Sequence, residues 1–156
     1  MMQQSSYLSL DEGSKKARHY CAYQERCSED VKKKLLGWGL GEQQTIEVID
    51  QLEKEGFLSD IRFAGLFVRS KINQNRWGKH KIETGLKSRN ISDEIIAGAI
   101  ANIDVDVYNN NIRLLIINKL EGLERFEPSI KKQKITQYLV SKGYEPEIVN
   151  EFVKSI

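Results

Sequence analysis

The sequence predicts an all-α protein made of three tandem three-helix repeats. Its 156 residues include only 2 Pro and 11 Gly, and its many long aliphatic and charged side chains favour helices. No segment sustains the alternation of apolar and polar residues that is typical of a strand. The apolar positions also recur along the chain at intervals of 51 and 53 residues, close to a third of its length.

The repeat is visible when equal steps are taken from Val31, Ile82 and Ile135. From each start, steps of 4, 9, 14, 18 and 21 residues lead to five further positions, so the three repeats together have 18 such positions. Seventeen of the 18 are apolar and Thr45 is the exception, whereas a composition of 40% apolar residues would place only about seven there. We therefore interpret the chain as one motif used three times.

A turn is predicted eight residues after each start, at Gly39, Asn90 and Gly143. Glycine and asparagine adopt the left-handed conformation that ends a helix more readily than other residues. Each is followed by an apolar residue and then by acidic residues or proline, which favour a helix start. Every repeat thus contains a helix, a tight turn and a second helix.

One more helix precedes each of these pairs. In the first repeat it covers roughly residues 12–25, and Ser28 is predicted to cap the next helix. In the second repeat, Ser59 or Asp60 is predicted to cap a helix that carries apolar residues up to Val68. The third repeat has its first helix at residues 108–120, and Pro128 begins the helix that follows. Nine helices are therefore expected.

The predicted boundaries are an N-terminal tail at residues 1–12 and three-helix repeats at residues 13–57, 58–104 and 105–156. A module of about 50 residues buries too little surface to be stable alone, so adjacent modules should dock on one another. The joints between them are short and lack flexible Gly/Ser composition. We expect an elongated, curved body that suits a large partner.

Positive charge is concentrated in the central repeat. Residues 62–89 contain eight Lys or Arg and one Glu, a charge of +7 within a chain whose net charge is +2. Smaller basic runs occupy the middle helices of the other two repeats. This separation of charge predicts a basic track that contacts a polyanion or an acidic groove. Its candidate residues are Lys32, Lys33, Arg69, Lys71, Arg76, Lys79, Lys81, Lys87, Arg89, Lys131 and Lys132, and Trp77 is a candidate for stacking on a base.

Other classes of function have little support in the sequence. There is no phosphate-binding glycine loop, paired-carboxylate motif or nucleophile elbow, so we expect no enzymatic activity, no catalytic residue and no cofactor. His19 and His80 have no companion in a metal-binding spacing, and Cys21 and Cys27 are six residues apart, which is neither a metal nor a redox pattern. Without a secretory signal or a membrane span, a reduced, cytoplasmic protein is expected. The repeated modules make a monomer the simplest expectation.

The central repeat contains a distinctive pattern, with LSDIRFA at residues 58–64, FVRS at residues 67–70 and a regular spacing of Gly78, Ile82, Leu86 and Ile91. In this pattern, and most strongly at residues 58–64, the central repeat resembles the RecX family, the bacterial regulators of the RecA recombinase. Residues 26–28 (RCS), followed by Val31 and Leu35, are similar to the family's first module. The chain departs from the family at Lys71, where Arg is common, and at residues 76–79 (RWGK), where a Gly-Tyr-Gly-like sequence is common.

The resemblance implies three three-helix modules that lie in the groove of a RecA–DNA filament and limit strand exchange and ATP hydrolysis. It thus implies a regulator in recombination, DNA repair and the SOS response, with the recombinase and single- or double-stranded DNA as partners. Two alternatives remain open. One is a direct DNA-binding protein of Myb-like repeats, although such repeats carry more tryptophans than the 2 present here. The other is a purely structural protein-interaction solenoid.

Overall fold

A computed structural model of the chain describes residues 8–156, and this part contains nine helices and no strand. The predicted all-α class is therefore confirmed. Most of the predicted N-terminal tail, residues 1–7, lies outside the described residues. The helices are α1 (Leu10–Tyr23), α2 (Ser28–Gly37), α3 (Glu42–Lys54), α4 (Asp60–Asn73), α5 (Lys79–Lys87), α6 (Asp93–Ala101), α7 (Val105–Leu120), α8 (Pro128–Ser141) and α9 (Pro146–Val153).

The helices form three triplets, α1–α3, α4–α6 and α7–α9, as the repeat predicts. The turns inside the triplets have the expected backbone: Gly39, Asn90 and Gly143 have φ angles of 97°, 55° and 98°. Helices α8 and α9 begin at Pro128 and Pro146. Because these signals depend only on neighbouring residues, the sequence is sufficient to locate them.

The repeated apolar positions form the core of the protein. Fourteen of the 18 positions are buried, including Thr45, the one residue of the set that is not apolar. Ile156 is the exposed member of the set, with 39% of its surface accessible. The steps of 4, 9, 14, 18 and 21 residues therefore mark the inward faces of the second and third helix of each triplet.

The chain divides into two compact units. The first comprises residues up to Phe63 together with Arg89–Ile91, and the second comprises Ala64–Ser88 and Ser92–Ile156. In the first unit, α1, α2 and α3 enclose a core that includes Ala17, Val31, Leu35 and Leu52. An ion pair between Arg18 and Glu55, with both nitrogen–oxygen distances at 3.0 Å, joins α1 to the end of α3.

The start of α2 corrects one prediction. Ser28 is the first residue of the helix and does not cap it, and the N-cap residue is Cys27, whose side chain makes no capping hydrogen bond. Instead, the Ser28 N–H donates to one carboxylate oxygen of Asp60 at 2.8 Å, and its hydroxyl donates to the other at 2.7 Å. A carboxylate from the start of α4 therefore caps α2 across 32 residues of sequence. The predicted role of Ser59 at the start of α4 is confirmed, because its hydroxyl accepts from the Arg62 N–H.

Both cysteines are buried thiols in the first unit. Cys21 is 8% exposed and Cys27 is fully buried. Burial raises the pKa of the Cys27 thiol to about 12, and it also raises the pKa of Cys21. Since only the thiolate reacts as a nucleophile, both groups are protected at neutral pH.

We therefore expect the native protein to resist alkylation by iodoacetamide at pH 7. After unfolding in guanidinium chloride, both cysteines should react, which mass spectrometry would record as two added carbamidomethyl groups. Rapid modification of the native protein at either position would show that this part of the first unit opens in solution.

Candidate polyanion-binding surface

A group of cationic and aromatic side chains lies around the connection between α4 and α5, in the second unit. We call it the Trp77 cluster. No acidic residue occurs between Ile61 and Ile82, so this part of the chain supplies cations without carboxylates to neutralise them. The cluster consists of Phe67 and Lys71 from α4, Arg76 and Trp77 from the connection, Lys81 from α5, and Lys142 from the end of α8.

The Trp77 ring is the centre of the cluster. Its edge-to-face contact with Phe67 has a centroid distance of 6.4 Å. The ammonium groups of Lys71 and Lys81 both lie 4.6 Å from the centre of the Trp77 ring. A cation over an aromatic face is attracted by the ring quadrupole, by about 0.5–1 kcal/mol at exposed sites. Trp77 thus positions two cations, which occupy space that a base stacked on this ring would need.

Gly85 leaves room for these rings on α5. A Cβ atom at this position would lie 2.8 Å from Cζ of Phe67, closer than real side chains approach one another. The absence of a side chain at Gly85 therefore lets the Phe67 ring reach α5.

Positive charge in the cluster is dense enough to affect its own titration. Lys142 is half-buried, and burial lowers the pKa of its ammonium group. The charges of Lys81 and Arg76 lower this pKa further, because like charges disfavour another proton. The Lys142 ammonium also donates a hydrogen bond of 2.9 Å to the carbonyl of Asn75. An anion that entered the cluster would relieve this repulsion.

Arg76 is held in an uncommon backbone conformation. Its φ angle is +50°, in the left-handed region, where residues other than Gly, Asn and Asp are rare. The Tyr144 hydroxyl donates to its carbonyl at 2.7 Å, and the Trp77 N–H donates to the Lys71 carbonyl at 3.1 Å. Strained residues that the surroundings hold in place are frequent at binding sites.

Helix α5, which carries Lys81, is capped by the third triplet. Its N-cap residue Gly78 has no side chain, so the first amide groups of the helix need other acceptors. The N–H groups of Gly78 and His80 donate to the carbonyls of Lys142 and Gly143 at 2.8 and 2.9 Å. The N–H of Lys79 donates to the Tyr108 hydroxyl at 2.9 Å, and that hydroxyl donates to Glu145.

The capping contact brings two backbone segments together without intervening side chains. A Cβ atom on Gly78 would lie 2.2 Å from the carbonyl carbon of Gly143, and one on Gly143 would lie 2.4 Å from Cβ of Lys81. Asn111 adds a buried hydrogen bond of 2.9 Å from its amide to the Ile72 carbonyl. The second and third triplets therefore hold the Trp77 cluster on a rigid base.

The other predicted contact residues occupy different places. Arg69 lines a cavity of about 290 Å³ with Ile72 and Asp104, so it does not join Lys71 and Lys81. The Lys79 ammonium lies 5.1 Å from the Tyr108 ring centre. Lys131 and Lys132 line a groove with Ile117 and Ile156. The remaining candidates are Lys32 and Lys33 on α2, Lys87 at the end of α5, and Arg89, which follows α5.

The structure thus groups Lys71, Arg76, Trp77 and Lys81 of the predicted track. It adds Lys142, which the sequence-based reasoning missed. Lys142 directly precedes the predicted turn at Gly143, but it is 61 residues away from Lys81 in the sequence, and no local pattern connects the two. Within residues 8–156, no set of three or more His, Cys, Asp or Glu side chains is arranged to hold a metal ion. No helix in the same range is long and apolar enough to cross a bilayer.

Known proteins resemble this chain over most of its length. A regulatory protein RecX of Oceanobacillus iheyensis is 25% identical over 138 residues, which are 88% of this chain and 51% of that protein. A regulatory protein RecX of Clostridium botulinum is 29% identical, over 83% of this chain and 61% of that protein. The chain thus spans about half the length of the first relative.

A solved structure has a similar fold, and family models match two segments of the chain. The crystal structure of RecX from Lactobacillus salivarius matches with a TM-score of 0.85 and 23% identity, over 94% of this chain and 97% of that one. Residues 59–100 match the model of the second three-helix domain of RecX, and residues 106–153 match that of the third. The two matched segments together cover more than half of the chain, which belongs to the RecX family.

Proposed function

We propose that this protein regulates a RecA recombinase by binding the RecA–DNA filament and inhibiting strand exchange and ATP hydrolysis. The observation that carries the proposal is the Trp77 cluster, a group of cations drawn mainly from a part of the chain that has no acidic residue, between Ile61 and Ile82. The contact between α5 and the α8–α9 turn holds this cluster in place. Such a surface matches acidic protein side chains or DNA phosphates, both of which a recombinase–DNA filament offers.

Fixed cations suit this role better than mobile ones. A lysine that binds an anion loses up to about 2 kcal/mol of side-chain entropy, which reduces the affinity gained from each contact. In the Trp77 cluster, the ring already restricts Lys71 and Lys81. Several such contacts along one filament would add through effective concentration.

The proposed inhibition requires a preference between filament states. A regulator that bound the active and inactive arrangements equally would shift nothing between them. We therefore propose that the second and third triplets fit one arrangement better, because their rigid contact at Gly78 and Gly143 does not allow them to follow the filament when it changes.

The charge of the third helices argues against the Myb-like alternative. In that reading, the last helix of each repeat would enter the major groove of DNA. Here α3 has four acidic residues against Lys54, and α6 and α9 each have two acidic residues and no basic one. Acidic helices would be repelled by the phosphate backbone.

The proposal is tested by following DNA-dependent ATP hydrolysis by the recombinase with and without this protein. We expect inhibition that weakens as the salt concentration rises, because it depends on charged contacts. Binding to naked duplex is measured in parallel. Unchanged hydrolysis at saturating protein would contradict the proposal, and sequence-specific binding to free duplex without an effect on hydrolysis would favour the DNA-binding alternative.

A further inference from the structure

A second cationic and aromatic surface lies on the first triplet, within the first unit. It is a cleft of about 600 Å³ between the end of α1, the α1–α2 connection and the end of α2. The side chains that line it include Lys16, His19, Tyr20, Tyr23, Arg26 and Trp38. The sequence-based candidates for partner contact include none of these six residues.

The rings and cations of this cleft are in contact with one another. Tyr20 and Trp38 make an edge-to-face contact with a centroid distance of 6.2 Å. The Arg26 guanidinium lies 3.9 Å from the centre of the Tyr20 ring, and its Nε donates to the Tyr20 carbonyl at 3.3 Å. Tyr23, at the rim, is 79% exposed. The cleft therefore offers an open aromatic ring beside a flat guanidinium group that is already held in place.

The cleft uses the same repeat positions as the Trp77 cluster. The first two repeats are 51 residues apart in the sequence, and adding 51 to three residue numbers of the cleft gives three residues of that cluster. In each pair, one residue is a cation and the other is aromatic. The pairs are Lys16 and Phe67, Tyr20 and Lys71, and Arg26 and Trp77. Two repeats with different residues thus retain the same kind of contact at the same place.

The charges of the cleft select the chemistry of its partner. Among the described residues that line it, none is acidic, and Lys16 and Arg26 are cations. Lys15 also lines the cleft, but its charge is paired with that of Asp11 at 3.5 Å. A ligand that uses both features must bring negative charge and a flat ring. An acidic peptide offers carboxylates but no regular supply of rings, and the bases of a duplex are stacked on one another. Single-stranded nucleic acid offers both.

We propose that this cleft binds a short stretch of single-stranded nucleic acid, with a base stacked on Tyr23 or on the Arg26 guanidinium and a phosphate at Lys16. The exposed ring provides contact with any base, because every base has an aromatic face. The cations follow the backbone, so binding requires no particular sequence. The resemblance implies DNA as a partner but assigns it no place, whereas this proposal assigns a single strand to the cleft on the first triplet, in binding that needs no recombinase.

The test measures binding of a fluorescein-labelled oligothymidylate to the full-length protein by fluorescence anisotropy, with no recombinase present. We expect Tyr23→Ala to weaken binding at least about fivefold, since base–aromatic stacking is worth about 1–3 kcal/mol per base. Tyr23→Phe keeps the ring and should bind like the wild type. Lys16→Gln should weaken binding and reduce the salt dependence, whereas Lys54→Gln on α3 is the matched control and should change neither.

A second readout locates the nucleic acid. The chain has 2 Trp, so a Trp77→Phe variant leaves Trp38 in the cleft as its one tryptophan. The oligonucleotide should quench the fluorescence of this variant. Binding that is equal in Tyr23→Ala and wild type, or the absence of quenching, would overturn the proposal. Polyglutamate that displaced the oligonucleotide at equal charge concentration would show a site for acidic peptides instead, and would also overturn it.

Discussion

Replacing Gly143 with alanine is expected to lower the free energy of unfolding by about 3 kcal/mol or more. The new Cβ atom would lie 2.4 Å from Cβ of Lys81 and 2.5 Å from its backbone nitrogen, and the φ angle of +98° is unfavourable for any residue with a side chain. Backbone strain and overpacking each cost about 1–3 kcal/mol. Because the closest atoms belong to the backbone and Cβ of α5, no side-chain rotation can relieve the contact.

Thermal unfolding followed by circular dichroism measures this effect. We expect the midpoint to fall by about 6–12 °C, given about 2–4 °C for each kcal/mol in a chain of this size. Gly78→Ala should be at least as damaging, because its Cβ atom would lie 2.2 Å from the backbone nitrogen of Tyr144.

Gly98 provides a matched control for both substitutions. It lies inside α6, and a Cβ atom there would meet nothing within 4 Å. Gly98→Ala should therefore stabilise the protein by about 0.5–1 kcal/mol through helix propensity. A Gly143→Ala variant that unfolds at the wild-type midpoint would mean that the α8–α9 turn does not contact α5 in solution.

Reversing the charges of Lys71 and Lys81 is expected to weaken the inhibition of the recombinase by about a hundredfold. Each substitution removes one contact with an anion, which is worth roughly tenfold in affinity for the filament, or about 1.4 kcal/mol. It also places a carboxylate beside the same negatively charged partner. The loss of two cation–π contacts costs about 1 kcal/mol each at most, so the variant should remain folded. Inhibition of ATP hydrolysis is titrated for Lys71→Glu/Lys81→Glu, with the salt dependence measured alongside.

The control for this variant has the same net charge. Lys54, which pairs with Asp50 at 2.9 Å, and Lys154, after α9, are exposed lysines outside the Trp77 cluster. Lys54→Glu/Lys154→Glu should inhibit nearly as well as the wild type. If the two double variants lost inhibition equally, the total charge of the protein would matter and the Trp77 cluster would not.

The geometry changes which residues this experiment should use. Closeness in the sequence would favour reversing the charges of Lys79, Lys81 and Arg89, three of the predicted contact residues. In the structure, the Lys79 ammonium lies over the Tyr108 ring, whereas Lys71 shares the Trp77 ring with Lys81. The triple reversal at Lys79, Lys81 and Arg89 should therefore weaken inhibition mainly through Lys81.

The fold could be predicted from the sequence wherever its causes are local. The left-handed turns and the helix starts at Pro128 and Pro146 depend on a few adjacent residues. The role of Ser28 was predicted wrongly because its partner, Asp60, comes from another helix. A rule for helix ends considers only the nearest residues and cannot include that carboxylate.

The candidate site was predictable only in part, for the same reason. The surplus of basic residues identifies the central repeat, but it does not say which of them share a face. Arg69 and Lys71 are two residues apart on α4 and point to different sides of the helix, one toward the cavity near Asp104 and the other toward Trp77. Lys142 joins the cluster through packing of the third triplet.

The capping of α5 by the α8–α9 turn makes two repeats fold as one. A fragment that stops after α6 would leave the amides of Gly78, Lys79 and His80 without their acceptors, and the beginning of α5 should then fray. Lys81 lies in that first turn of the helix. Proteolysis or mechanical force that loosened the C-terminal repeat would therefore unwind the start of α5 and disturb the Trp77 cluster, even though it acted elsewhere in the chain.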